Sequence, residues 1–73
     1  MTANRTLLQR KYAHVIAMFS KRQHIGLRQA MDVFYKSHTY QEMREGISDM
    51  HCRSDEYLAE ELRLEQVELS AHN

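Results

Sequence analysis

The stretch NRTLLQRKYAHVIAMFSKR, residues 4–22, decides the fold class. It has apolar residues at Leu8, Tyr12, Val15, Ile16 and Phe19, in steps of four, three, one and three. That spacing puts them on one face of an α-helix, whereas a strand would alternate every second residue. Thr2 or Asn4 is placed to cap the start by accepting a backbone N–H. Lys21 and Arg22 suit the negative end of the helix dipole.

Working outward from this helix, the chain has no proline and only two glycines, Gly26 and Gly46, which become its natural punctuation. Residues 23–26 read as a turn with Ile25 as a buried anchor. A second helix is predicted over 27–36, where Leu27, Ala30, Met31, Phe34 and Tyr35 recur at helical spacing. Ser37 and His38 read as a break. Thr39 then serves as the cap of a short third helix, 40–45, with Glu42 completing a capping box and Gly46 closing the helix in the left-handed region. Residues 47–53 are the least regular part. Ser54, followed by Asp55 and Glu56, is the clearest helix start in the chain, and the helix it opens runs to about Leu69 with Leu58, Leu62 and Leu69 on one face. No alternating β-branched run and no Asn-Gly or Asp-Gly hairpin turn occurs. The expected architecture is all-α: one domain, residues 1–73, built as a compact bundle of about four helices, long at the ends and short in the middle, with frayed termini at 1–4 and 70–73.

Seventy-three residues bury little surface, and a core of this size seldom supplies more than ~3–5 kcal/mol. The single cysteine, Cys52, allows no internal disulfide and fits a reducing compartment. Residues 1–10 lack the apolar run of a signal peptide, and 15–19 is far too short to span a bilayer, so a cytoplasmic protein is expected. The formal net charge of zero hides a division. Residues 1–36 carry seven basic side chains against one acidic, a net of +6, and residues 37–73 carry three against nine, a net of −6. Within one molecule, antiparallel packing of the first and last helices would set Arg10 and Lys11 against Glu60, Glu61 and Glu65. Across molecules, the basic half is a candidate for a nucleic-acid backbone, although its residues form no recognition-helix pattern.

Asp49, His51, Cys52 and Asp55 lie close together in the irregular stretch. They lack the paired ligand spacing of a zinc site, and neighbours in sequence diverge too much for His51 to activate Cys52. They are read as loop packing and caps, so no metal and no cofactor is assigned. His14 and Met18 are read as boundary residues, and Tyr12, Tyr35, Tyr40 and Tyr57 as packing at the core's edge. There is no Gly-rich phosphate loop, Gly-x-Ser-x-Gly or His-Glu-x-x-His, and a non-catalytic protein is expected.

Three stretches carry a resemblance. They are Leu7-Leu8-Gln9-Arg10-Lys11-Tyr12-Ala13 leading to Phe19, then Ala30-Met31-Asp32-Val33-Phe34-Tyr35 with Ser37 and Tyr40, and then the long run from Glu45-Gly46-Ile47-Ser48-Asp49-Met50-His51-Cys52-Arg53 to Leu62. Together they resemble a family of short bacterial proteins of unknown function, often encoded beside an ADP-ribosyltransferase-like toxin domain. The resemblance implies an antitoxin or accessory partner of such a toxin and supplies no catalytic residues. Gly26 stands where the family carries a serine cap. The function expected is a protein-binding module that occludes a partner's active cleft, with Ile47, Asp49, Met50, His51, Arg53, Asp55, Glu56 and Tyr57 as contact residues. The acidic last helix would assist by imitating a phosphate-rich ligand. A nucleic-acid-binding regulator and a structural homodimer are the alternatives.

Overall fold

In the computed structural model, which describes residues 5–71, four α-helices and one irregular turn segment follow one another: α1 (Arg5–Gln23), α2 (Leu27–Tyr35), α3 (His38–Glu45), the turn segment Ile47–Cys52 and α4 (Asp55–Ala71). There is no strand among the described residues. The all-helical expectation therefore holds, with helices of 19 and 17 residues flanking ones of 9 and 8. The proposed caps Thr2 and Asn4 lie outside the described residues. At the other end α4 runs through Ala71.

The stripe of α1 reaches the core as its spacing requires. Tyr12, Val15, Ile16 and Phe19 are buried, and Leu8 packs at the margin. They meet Ala30 and Phe34 of α2, Met43 of α3, Met50, and Leu58, Ala59 and Leu62 of α4. Tyr12, Phe34, Tyr35 and Tyr40 form a four-ring cluster joining the first three helices, with neighbouring centroids between 4.9 and 6.5 Å apart. Tilted and edge-on contacts of this kind suit the ring quadrupoles. Leu69 departs from expectation. It lies beyond the last core layer at Leu62 and is 58% exposed.

The connections show how local chemistry chose among the candidate turns. α1 ends with His24, not a glycine, in the left-handed region at φ 57°. The N–H of Ile25 donates to Ser20 C=O at 3.1 Å and that of His24 to Lys21 C=O at 3.4 Å, the paired bonds of a Schellman closure. The Ser20 hydroxyl donates to Ile25 C=O at 2.6 Å, and Ile25 packs against the core as an anchor. Gly26 occupies the extended N-cap of α2, at φ −68°, the position where the resembling family carries its serine cap.

The cap of α3 is Ser37, not Thr39. The Ser37 hydroxyl accepts the Tyr40 N–H at 3.0 Å and donates to Phe34 C=O at 2.6 Å. The capping box with Glu42 is accordingly absent: Glu42 instead offers its backbone carbonyl to the N–H of Gly46, which closes the helix at φ 69° as expected. The first two N–H groups of α3 find their acceptor 26 and 27 residues away. Glu65 of α4 accepts from His38 N–H at 2.9 Å, from Thr39 N–H at 3.3 Å and from the Thr39 hydroxyl at 3.1 Å. Every early donor of α3 is thus satisfied, which a partly buried helix end requires.

The charge pairing between the end helices also differs from expectation. Lys11 meets Asp55, the first residue of α4, at 2.7 Å, not the acids of its middle. Glu60 pairs within its own helix with Arg63 at 2.6 Å, and Glu65 is used by α3. The Arg63 guanidinium holds the Glu60 carboxyl below its ordinary range, chiefly by hydrogen bonding.

Candidate functional site

The segment 46–57 comprises the connection from α3 to α4 and the first residues of α4, and its backbone is unusual. Gly46, Ser48 and Asp49 all have positive φ, at 69°, 51° and 53°. A left-handed conformation suits glycine, whereas serine and aspartate both adopt it at a cost, the smaller one for aspartate. The result is two tight turns, closed by Asp49 N–H to Gly46 C=O at 3.3 Å and by Arg53 N–H to Met50 C=O at 3.1 Å. No continuous helix crosses the kink.

Two attachments hold these turns to the bundle, and His51 packs within the segment itself. Met50 inserts into the core. His51 is half-buried, with its imidazole edge 3.7 Å from where a Cβ on Gly46 would stand, and its enclosed Nδ1 has no hydrogen-bond partner among the described residues. Asp55 is half-buried and tied to Lys11. Ser54 caps α4, accepting the Tyr57 N–H at 3.1 Å, as its sequence context predicts.

The eight residues singled out by sequence thus divide. Met50 and Asp55 face inward and hold the segment in place, and His51 is intermediate. Ile47, Asp49, Arg53, Glu56 and Tyr57 stand exposed. The Arg53 guanidinium lies over the Tyr57 ring, 5.3 Å from its centroid, which restrains both side chains before any contact is made. Cys52 is exposed. No three His, Cys, Asp or Glu side chains among the described residues come close enough to share a metal ion. No helix of the described residues is long and apolar enough to cross a membrane.

A second surface escaped the sequence reading. α2 has two apolar faces, since Ala30 and Phe34 point inward while Leu27, Met31 and Tyr35 form an outer stripe at steps of four. This stripe and α1 bound two adjoining grooves that share Ala17 and Leu27. One, of about 620 Å³, runs past His14, Met18 and Lys21. The other, of about 360 Å³, runs past Ala13, Met31 and Tyr35. The signal was present, because six apolar positions on a nine-residue helix exceed what one buried face can take. No family model, curated protein or solved structure matches the chain.

Proposed function

We propose that the chain is a non-catalytic protein-binding module, an antitoxin-like or accessory partner that masks a co-encoded enzyme of the ADP-ribosyltransferase-like toxin class, and that segment 46–57 is its contact surface. One observation carries the reading. A strained backbone at Ser48 and Asp49 is held by Met50 and Asp55 while Ile47, Arg53 and Tyr57 are left outside. Left-handed non-glycine residues cost about 1–3 kcal/mol each and persist only where surrounding contacts impose them. A mere connector from α3 to α4 gains nothing from that cost, whereas a rigid contact ridge loses less freedom on binding. Tyrosine and arginine side by side, with an aliphatic neighbour, are the residue types that dominate protein interfaces. Asp49 and Glu56 add a charged margin suited to orienting a partner.

The test is co-expression with the product of the neighbouring gene, followed by pull-down. The wild-type chain should co-purify with it. Tyr57→Ala and Ile47→Asp should each weaken the complex about thirtyfold, the scale of a lost interface anchor, while leaving the helical circular dichroism unchanged because both side chains are exposed. Failure of the wild-type chain to co-purify would reject the reading.

A further inference from the structure

The charge division read from the sequence is not used up inside the fold. Among the described residues the ion pairs are Lys11–Asp55, Lys36–Asp32 and Arg63–Glu60. Arg10, Lys21 and Arg28 have no carboxylate partner among them, and neither have Glu61 and Glu68. These unused charges lie beside unused apolar surface on two different parts of the molecule.

The first part is the α1–α2 groove. Its apolar floor is Ala13, Ala17, Leu27, Met31 and Tyr35, with Leu27 59% exposed and Met31 46%. Helical register sets Arg10, His14 and Lys21 along its α1 edge and Arg28 beside Leu27 along its α2 edge. Asp55, the acid among its lining residues, is already neutralised by Lys11. The second part is the distal half of α4. The helix runs two turns beyond Leu62, its last buried residue, and there Leu64 and Val67, 46% and 54% exposed, share an outward face three residues apart. Glu61 and Glu68 stand three residues before and four after Leu64, along the same edge. One surface is an apolar groove with a basic rim. The other is an apolar stripe with an acidic rim, carried on the exposed side of the end of α4.

We propose that these two surfaces bind each other between two copies of the chain, the distal half of α4 from each copy lying in the α1–α2 groove of the other. Two-fold symmetry uses the contact twice, so a single groove and a single helix end per copy form a closed dimer with no free end. Apolar side chains supply the affinity, and the opposed rims fix the direction in which the helix lies. A chain of this length gains from such an arrangement the additional buried surface that its own core lacks. The dimer surface is separate from the exposed residues of segment 46–57 and does not depend on their binding a partner.

Sedimentation velocity of the full chain, from about 1 to 200 μM, tests this. A dimer is expected at the upper concentrations in ~50 mM salt, weakening at least tenfold in ~1 M salt, where the screening length falls to about 3 Å. Met31→Glu in the groove and Val67→Lys on α4 should each leave the chain monomeric. Their equimolar mixture should regain association, because one intact groove and one intact helix end remain. Arg28→Glu and Glu68→Lys should each weaken the dimer and together restore it, which separates a lost contact from a lost fold. A wild-type chain that stays monomeric to 200 μM at low salt overturns the proposal. So does a dimer indifferent to all four substitutions, or a monomer whose groove instead accepts only an acidic amphipathic peptide of foreign sequence.

Discussion

Replacing Glu65 by alanine should cost this protein a large part of its stability although the side chain is no part of the apolar core. Glu65 accepts from two backbone donors and one hydroxyl of α3, at 2.9, 3.3 and 3.1 Å. Loss of a helix cap costs ~0.5–2 kcal/mol. Removing a negative charge from the positive end of a helix dipole costs a further ~0.3–1 kcal/mol. Only the 2.9 Å bond is short, so about 1.5 kcal/mol is expected for Glu65→Ala. For a domain of this size that corresponds to a fall in Tm of about 10 °C. Glu65→Gln keeps an acceptor and loses the charge, and should retain roughly half of the effect. Thr39→Val removes the hydroxyl donor, and a double-mutant cycle with Glu65→Ala should give a coupling of at least ~0.5 kcal/mol. Urea denaturation followed by circular dichroism reads all four species. A Glu65→Ala stability within ~0.3 kcal/mol of wild type, or strict additivity with Thr39→Val, would refute the cross-helix cap.

Two further expectations concern the turn after α1 and the aromatic cluster. His24 sits at φ 57° with a side chain that the left-handed region disfavours, so His24→Gly should stabilise the fold by about 0.5–1 kcal/mol; an unchanged or lower urea midpoint would contradict this. Burial, then the neighbouring phenols of Tyr40 and Tyr35, raise the Tyr12 pKa above its ordinary 10.0. The folded state therefore holds a proton that the unfolded chain gives up first, so stability is intact below pH 10 and declines as the pH rises through the folded value. Tyr12→Phe should flatten that alkaline decline in the urea midpoint between about pH 9 and pH 11, and equal slopes for the two proteins would contradict the assignment.

The fold was legible where one residue type had one physical outlet. The spacing of Leu8, Tyr12, Val15, Ile16 and Phe19 admits only a helical face, and Ser54 before two acids admits only a helix start. Gly46 likewise took the left-handed position. Reading failed where two residues could do the same local task and a distant group chose between them. Ser37 and Thr39 are both good caps, and the choice fell to Ser37 because Phe34 C=O offers its hydroxyl an acceptor and Glu65 occupies Thr39. Residues 23–26 were legible as a turn, but not that His24 takes the left-handed position in it, which the bond from Ile25 N–H to Ser20 C=O imposes. In the candidate site, the irregular stretch and the long run that carries the resemblance pointed to segment 46–57 as a whole. It could not separate Met50 and Asp55, which the core and Lys11 draw inward, from Arg53 and Tyr57, which stand outside. Nor does helical periodicity say which apolar stripe of α2 the bundle covers, since both faces carry one.

The most direct measurement of the proposed binding role is amide hydrogen exchange on the complex with the neighbouring gene's product, compared with the free chain. The amides of residues 47–57 should gain at least tenfold protection on binding, while those already buried in α1 change little. Protection confined to other parts of the chain, with exchange in 47–57 unaltered, would contradict segment 46–57 as the contact surface.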